Sequence, residues 1–371
     1  MKILPYSRQS INNIDIKYVA KSLKNELITQ GKFIAKLENN ICKKLNVKYA
    51  IAVSSATAGL HISNLLFKKK KILTQALTFA STVSTIVLAG NTPILGDINK
   101  ETLLLDIDKI KNENFDVIVN VLFAGASSNS IELREKFKNK IIIEDASHAL
   151  GGQYLDGSNI GSCKYSDICI FSLHPVKSIT SGEGGIITTN NKKYYEKLKI
   201  LRNHGIIRNN NNKNPWIYKI NDIGLNYRMN ELQAALAYSQ LKRLKKFITK
   251  RRRIAKIYDK ILSINDKIYL PQSKKKIRAS SAIHLYVICL NNKKINNFKS
   301  QLVKRLKKYG IGSQVHYIPI YKLNAFKKIK RINSLSNTER HYQKCLSIPC
   351  YFDLSFSKAK FIANKINQLL H

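Results

Sequence analysis

The chain has 371 residues, 44% of them apolar and 23% charged, so it is long enough to bury a sizeable core and has a globular composition. No run approaches about 18 consecutive apolar residues, so no membrane-spanning helix is expected, and the first residues lack the apolar stretch of a signal peptide. The six cysteines are scattered, with no CxxC pair and no histidine at zinc-ligand spacing. We therefore expect free thiols, no metal site and a cytoplasmic location.

The net charge of +41 is the most unusual property of the composition. Such a charge would suit a protein that binds nucleic acid or another anionic surface. Lys, Asn and Ile are all frequent, however, and all three have AT-rich codons, so a bias in base composition accounts for the trend without any partner. The densest basic run, 242–253, falls in a predicted long helix, where we expect a solvated face. We expect no nucleic-acid partner, and a non-enzymatic binding protein remains the alternative that the charge suggests.

The pattern of apolar residues predicts alternating helices and strands, which is typical of an α/β protein. Helices are predicted at 14–27, 33–45, 59–66, 82–89, 194–202, 231–262, 296–308 and 357–370. Strands are predicted at 49–53, 72–75, 93–95, 116–121, 141–143, 168–171, 186–189, 282–290 and 313–317, and a polar loop at 209–214. We expect a large domain, 1–240, and a smaller α/β domain, 241–371, against which the N-terminal segment can pack.

Two strand ends carry residues suited to binding an anion or a charged ring. The run Ser54-Ser-Ala-Thr-Ala58 follows the first predicted strand and opens a helix. Free backbone N–H groups and the helix dipole favour a phosphate at such a point, although an ordinary helix N-cap is the alternative. Asp145 follows the strand at 141–143, and a carboxylate at the carboxyl end of a parallel strand faces the crevice where ligands bind.

One lysine stands on a loop that proline and glycine residues constrain. Lys177 lies between Pro175 and the run Gly182-Glu-Gly-Gly185, with predicted strands on both sides. A lysine held on a fixed loop of an α/β domain suits a Schiff-base nucleophile. In a chain so rich in lysine, a solvated charge is the alternative for any single lysine.

The segments 54–58, 76–81, 144–151, 171–189 and 224–235 resemble, in this order, the motifs of the sugar aminotransferases of the DegT/DnrJ/EryC1/StrS family. The segment Leu122-Phe123 departs mildly, because relatives often carry an acidic residue there. The resemblance implies the type I fold of pyridoxal-phosphate enzymes: a large domain with a mostly parallel central sheet flanked by helices, and a smaller α/β domain. It also implies a homodimer that binds pyridoxal phosphate. The phosphate would contact Ser55, Ala56, Thr57 and Ser172, together with Asn226 of the partner subunit. Phe79 would lie on the ring face, Asp145 at the ring nitrogen and His148 near the ring hydroxyl, and Lys177 would be the Schiff-base lysine and proton shuttle.

A narrower likeness is to family members that aminate C4 of a UDP-linked 4-keto-6-deoxy-N-acetylhexosamine, on the route to pseudaminic acid. This likeness implies glutamate as the amino donor and a sugar-nucleotide side lined by Tyr6, Thr29, Gln314, Val315, His316 and Tyr317. Amination at C3 or of a dTDP-linked sugar is the alternative within the family. A sugar dehydratase on the same fold is a further alternative, but relatives of that kind have histidine where this chain has Lys177.

Overall fold

The computed structural model describes residues 3–111, 114–208, 214, 216–291 and 298–370. The helices are α1 Asn13–Leu23, α2 Lys32–Leu45, α3 Ala56–Asn64, α4 Ala80–Leu88, α5 Ser130–Lys136, α6 Lys192–Arg202, α7 Glu231–Lys242, α8 Leu244–Leu262, α9 Lys275–Ser280, α10 Phe298–Lys308, α11 Ser336–Lys344 and α12 Phe356–Leu370. The strands are β1 Tyr49–Val53, β2 Lys71–Gln75, β3 Thr92–Gly96, β4 Val117–Val121, β5 Ile141–Asp145, β6 Ile168–Ser172, β7 Gly185–Thr189, β8 Ile206–Arg208, β9 Tyr218–Ile220, β10 Ile268–Tyr269, β11 Tyr286–Leu290, β12 Lys330–Arg331 and β13 Cys345–Ile348.

Among the described residues, eight strands form the central sheet in the order β1-β7-β6-β5-β4-β2-β3-β12. The pairs from β6 to β12 are parallel, and β7 runs antiparallel to both of its neighbours. β4, β6 and β7 are buried along their whole length, as strands are when helices cover both faces of a sheet. The expected α/β fold with a mostly parallel central sheet is confirmed. The carboxyl ends of β1, β2, β5 and β6 and the start of β7 meet at one edge.

The C-terminal part of the chain has its own antiparallel sheet, β10-β11-β13, and its own apolar core. Helices α8 and α12 contribute to this core through Tyr258, Leu262, Ile362 and Ile366, among others. The N-terminal segment packs here, because Leu4 pairs with the segment around Ile311. The domain limits 1–240 and 241–371 stay a prediction. In the part of the chain that the structure describes, no helix is both long and apolar enough to cross a membrane.

Three predicted elements have different limits in the structure. The first helix ends at Leu23 rather than at 27, and the N–H of Lys24 closes it on the carbonyl of Lys21. The long helix 231–262 is divided at Arg243, whose guanidinium pairs with the buried Asp15 of α1. The strand at 282–290 begins only at Tyr286, since residues 282–284 bond to the loop after β4.

The predicted strand 313–317 is wrong. Gln314 exchanges two backbone hydrogen bonds with Ser347, and the pairing goes no further. The carbonyl of His316 accepts from the ring of His341 instead of from a strand neighbour. Sequence patterns also missed the short elements α5, α9, α11, β8, β9, β10 and β12. Residues 209–213 of the predicted polar loop and 296–297 of a predicted helix lie outside the described residues.

Candidate active site

The loop between β6 and β7 holds Lys177 in a closed set of backbone contacts. The N–H of Lys177 bonds to the carbonyl of His174 at 2.9 Å, which makes a tight turn. At the base of the loop, the N–H of Leu173 bonds to the carbonyl of Gly184, and the hydroxyl of Thr180 donates to the carbonyl of Leu173. The loop is therefore fixed at both ends, as the proline and glycine residues predicted.

The amine of Lys177 lies among protein atoms, although its side chain keeps some contact with solvent. Burial lowers its pKa to about 8, and the positive charge of Arg251 acts in the same direction, whereas Asp145 opposes the change. An amine with a pKa near 8 exchanges protons readily at neutral pH, which suits a general base and acid.

Asp145 ends β5 and is 5% exposed. One carboxylate oxygen accepts from the hydroxyl of Thr82 at 2.8 Å. The other accepts from the hydroxyl of Ser147 at 2.6 Å and from its N–H at 3.2 Å. Three donors fix the carboxylate at the sheet edge, where the strand-end position predicted it.

Aromatic rings form one side of the site. Phe79 precedes α4 and is 57% exposed, so one large apolar ring is left uncovered beside the site. The ring of Tyr317 lies against it with centroids 5.7 Å apart, and the ring of His148 is near-parallel to that of Tyr317 at 6.3 Å. His148 also contacts His284, with ring centroids 4.4 Å apart and the ring planes tilted by 41°. An exposed ring at a sheet edge suits stacking on a flat ligand.

The tautomer of His148 follows from its two contacts. The N–H of Ala124 donates to Nδ1 at 3.2 Å, and Nε2 lies 3.2 Å from the hydroxyl oxygen of Tyr317. Burial holds the pKa of His148 well below its usual value, so the ring is neutral and its proton is on Nε2. Nε2 therefore donates to Tyr317, and the hydroxyl proton of Tyr317 is left for a group in the cleft.

The first turn of α3 is the candidate phosphate cradle. The hydroxyl of Ser55 accepts from the N–H of Ala58 at 3.0 Å, so this oxygen serves as the helix N-cap. The N–H groups of Ala56 and Thr57 precede the first intrahelical bonds and lie at the positive end of the helix dipole. A Cβ on Gly185 would lie only 2.6 Å from the backbone of Ser55, so glycine at this position lets β7 pass directly against the first turn of α3.

Ser172 lies beside this cradle, since it pairs with Gly185 across β6 and β7. The predicted residues Ser55, Ala56, Thr57 and Ser172 thus lie together, but their role at a phosphate stays a prediction. Asn226 is exposed, on a segment whose neighbour Tyr227 bonds to the N–H of Ser54.

The predicted substrate residues are less uniform in position. Tyr6 packs edge to face on His316 at 5.1 Å, which places the N-terminal segment beside the site. Thr29 is exposed and pairs with Asn230 in a single bridge. Gln314 is exposed, whereas Val315 packs against the C-terminal core. The role of these residues toward a substrate stays a prediction.

Sequence reasoning missed several residues of the site, above all Arg251. The run 242–253 was expected to be a solvated face, but Arg251 is 2% exposed, so for this residue the expectation is wrong. The signal was present in the spacing, because Arg251 falls on the apolar stripe that Phe247, Ile248 and Ile254 form at helical intervals. Thr82 and Ser147, the donors to Asp145, gave no signal of their own. Among the described residues, no three His, Cys, Asp or Glu side chains are placed to hold a metal ion.

Comparison with known proteins gives one consistent family. The model of the DegT/DnrJ/EryC1/StrS aminotransferase family matches residues 9–367. A relative from Campylobacter jejuni, named UDP-4-amino-4,6-dideoxy-N-acetyl-beta-L-altrosamine transaminase, is 36% identical over 379 residues and covers 99% of this chain and 98% of its own.

Solved structures agree with this result. PseC from Helicobacter pylori, described as an aminotransferase involved in the biosynthesis of pseudoaminic acid, superposes with a TM-score of 0.90 at 30% identity over 99% of both chains. The PLP-form of the putative sugar aminotransferase Spr1654 from Streptococcus pneumoniae gives 0.88 at 24% identity over 99% of this chain and 98% of its own, which shows the shared fold.

Proposed function

The chain belongs to the DegT/DnrJ/EryC1/StrS aminotransferase family, and on that premise we propose that it uses pyridoxal phosphate to move an amino group from glutamate to C4 of a UDP-linked 4-keto-6-deoxy-N-acetylhexosamine. The observation that carries the proposal is the meeting of Lys177, Asp145 and the uncovered ring of Phe79 at one edge of the sheet. The relatives named as transaminases of such a sugar, at 36% and 37% identity, support the substrate. The Helicobacter pylori structure, described as involved in the biosynthesis of pseudoaminic acid, supports a role in making that sugar, which we propose serves surface or flagellar glycans.

The residues at the site suit pyridoxal phosphate in the type and charge of their groups. The N–H groups of Ala56 and Thr57 at the start of α3 suit a phosphate, and Ser172, which pairs with Gly185 beside this turn, adds a hydroxyl. Phe79 offers a ring face, and the fixed carboxylate of Asp145 suits a protonated ring nitrogen. When bound, the cofactor supplies the electron sink that transamination needs.

The protein's own groups then have distinct roles in the proposed reaction. Lys177 attaches the cofactor and moves a proton as general base and acid, for which its lowered pKa is suited. Asp145 keeps the ring nitrogen charged. His148 orients Tyr317, whose hydroxyl donates into the cleft near the ring hydroxyl. Tyr6 and His316 form the adjoining wall on the proposed sugar-nucleotide side.

We also propose that the enzyme is a homodimer in which Asn226 of the partner subunit completes the phosphate site. The exposed position of Asn226 leaves its side chain available to a partner subunit, which supports this arrangement. A cytoplasmic location is part of the proposal, and the six free cysteines suit a reducing compartment. A family member that aminates C3 or a dTDP-linked sugar is the second candidate.

The attachment residue can be tested directly. Reduction of the purified protein with borohydride should fix pyridoxal phosphate covalently, and peptide mass spectrometry should find it on the peptide that contains Lys177. Lys177→Ala should lose this mass gain and all transamination while it unfolds at the wild-type temperature. The control Lys193→Ala, on the surface of α6, should keep both. A modified peptide that contains another lysine, or none at all, would refute the assignment.

A further inference from the structure

Arg251 is a buried cation without an anionic partner. It lies on the apolar stripe of α8, its side chain is 2% exposed, and no described carboxylate lies within 4.0 Å of its guanidinium. Burying a charge in this way is costly, and an apolar side chain of similar volume is often at least as stable at such a position. Stability alone therefore does not account for arginine here.

The guanidinium donates to carbonyl groups of three separate segments. Nη1 lies 2.5 Å from the carbonyl oxygen of Cys350 and 3.1 Å from that of His284. Nη2 lies 3.4 Å from the carbonyl oxygen of Val176, the residue immediately before Lys177. The side chain thus joins the C-terminal part of the chain to the lysine loop.

The same carbonyl of Val176 accepts a second hydrogen bond, from the hydroxyl of Ser7 at 3.0 Å. Ser7 is 5% exposed and belongs to the N-terminal segment. Two donors from distant segments, Ser7 and Arg251, therefore fix the peptide group that links Val176 to Lys177. The position of the lysine side chain depends on this peptide group.

The charges around the amine of Lys177 come from several elements. Asp145 of β5 is the anion, and Arg251 of α8 is the cation. The imidazoles of His148, His284 and His316 also surround it, and burial holds the pKa of all three well below the usual value, so they are neutral. Burial is the main cause of the lowered pKa of Lys177, and the charge of Arg251, which pairs with no carboxylate among the described residues, acts in the same direction.

We propose that Arg251 is a positioning residue for Lys177: with Ser7 it fixes the peptide group before the lysine, and it brings a positive charge to the lysine loop. The catalytic meaning of this arrangement rests on the proposed function, because a neutral amine is what a general base requires. The hydrogen bonds from Arg251 and Ser7 to the carbonyl of Val176 are part of the fold, whatever the reaction is.

The test measures the reactivity of one amine in the full-length protein freed of cofactor. A solved relative has been described in an apo-form, so this fold exists without the cofactor. Acetic anhydride labels neutral amines, and peptide mass spectrometry gives the labelling rate of Lys177 as a function of pH. For the wild type we expect a midpoint near pH 8. Arg251→Met should raise it, so that labelling at pH 7 becomes about three- to tenfold slower.

Two further variants separate charge from fold. Arg251→Gln also removes the charge but keeps a donor for the carbonyls, and Arg251→Lys keeps a charge. Arg251→Gln should raise the pH midpoint of Lys177 labelling as Arg251→Met does. Arg251→Lys should keep this midpoint near the wild-type value. Arg252→Gln is the matched control, since Arg252 bonds the carbonyls of Ser280 and Ser281 on another side of the helix. It should leave the midpoint unchanged.

The proposal would be overturned if Arg251→Met and Arg251→Gln both kept the wild-type labelling midpoint of Lys177. It would also be overturned if Arg252→Gln raised that midpoint as much as they do. The Gln variant guards against failure to fold, because it removes the charge but keeps a donor for the carbonyls that Arg251 bonds. The labelling needs neither cofactor nor substrate. If borohydride mapping identified another lysine, the proposed function would fail while the influence of Arg251 on Lys177 would still be measured.

Discussion

Gly185 lets strand β7 pass directly against the first turn of helix α3. An added Cβ would lie 2.6 Å from Ser55 and 2.7 Å from the N of Ala56, which is closer than non-bonded atoms approach. The contact is with backbone, so no side chain can rotate away. The candidate phosphate site therefore requires glycine at position 185 as much as it requires the hydroxyl groups around it.

Gly185→Ala should weaken the binding of pyridoxal phosphate. The first turn of α3 has to move, and its N–H groups then lose charge-assisted hydrogen bonds worth about 1.5–3 kcal/mol, or about 10- to 100-fold in Kd. The control is Gly182→Ala in the same loop, whose Cβ meets open space although its φ of +80° adds backbone strain. Fluorescence titration with the cofactor would measure both, and equal affinities would contradict the cradle.

At the scale of elements, the strands of the central sheet could be predicted from the sequence because they are short apolar runs bounded by turns. Asp145 and Lys177 could be found for the same reason, since each follows such a run. The break of the long helix at Arg243 could not be predicted in this way, and the residue that Arg243 pairs with there, Asp15, is more than two hundred residues away. Likewise, only the folded chain brings Tyr317 to His148.

Glu231 is a residue of one helix that caps the start of another. It begins α7, is fully buried, and accepts from the N–H groups of Phe33 at 2.7 Å and Ile34 at 2.9 Å, so it caps the neighbouring helix α2. Glu231→Gln removes the charge and one acceptor, and we expect it to destabilise the protein by about 1–3 kcal/mol. Urea unfolding would measure this, with Glu196→Gln on the exposed face of α6 as the control. Equal stability of the two variants would show that the cap is unimportant.

At the scale of the whole molecule, segments far apart in sequence converge on one loop. Ser7 and Arg251 meet at the carbonyl of Val176, and β12 from the C-terminal part extends the central sheet beside β3. The excess of basic residues does not by itself indicate a binding site for an anion, because Arg251, one of these residues, is buried within the protein. The proposed dimer extends this convergence to a second copy of the chain.

Mixed dimers test that arrangement. Lys177→Ala and Asn226→Ala chains should each be poorly active alone. If each site takes its lysine from one chain and Asn226 of the partner subunit, a mixed dimer has one intact site. An equal mixture should then recover about a quarter of wild-type activity. Chain exchange is verified by mass, and activity that stays at the level of the parents would show that each chain builds its own site.

Identification of the product by NMR tests the proposed amination at C4 of a UDP-linked sugar most directly. The enzyme with pyridoxal phosphate is incubated with glutamate and a UDP-linked 4-keto-6-deoxy-N-acetylhexosamine, beside a dTDP-linked 4-keto sugar and a 3-keto sugar as controls. We predict an amine at C4 of the UDP sugar and an equal amount of 2-oxoglutarate. Amination at C3, a preference for the dTDP sugar, or loss of a ring hydroxyl without amine transfer would contradict the account.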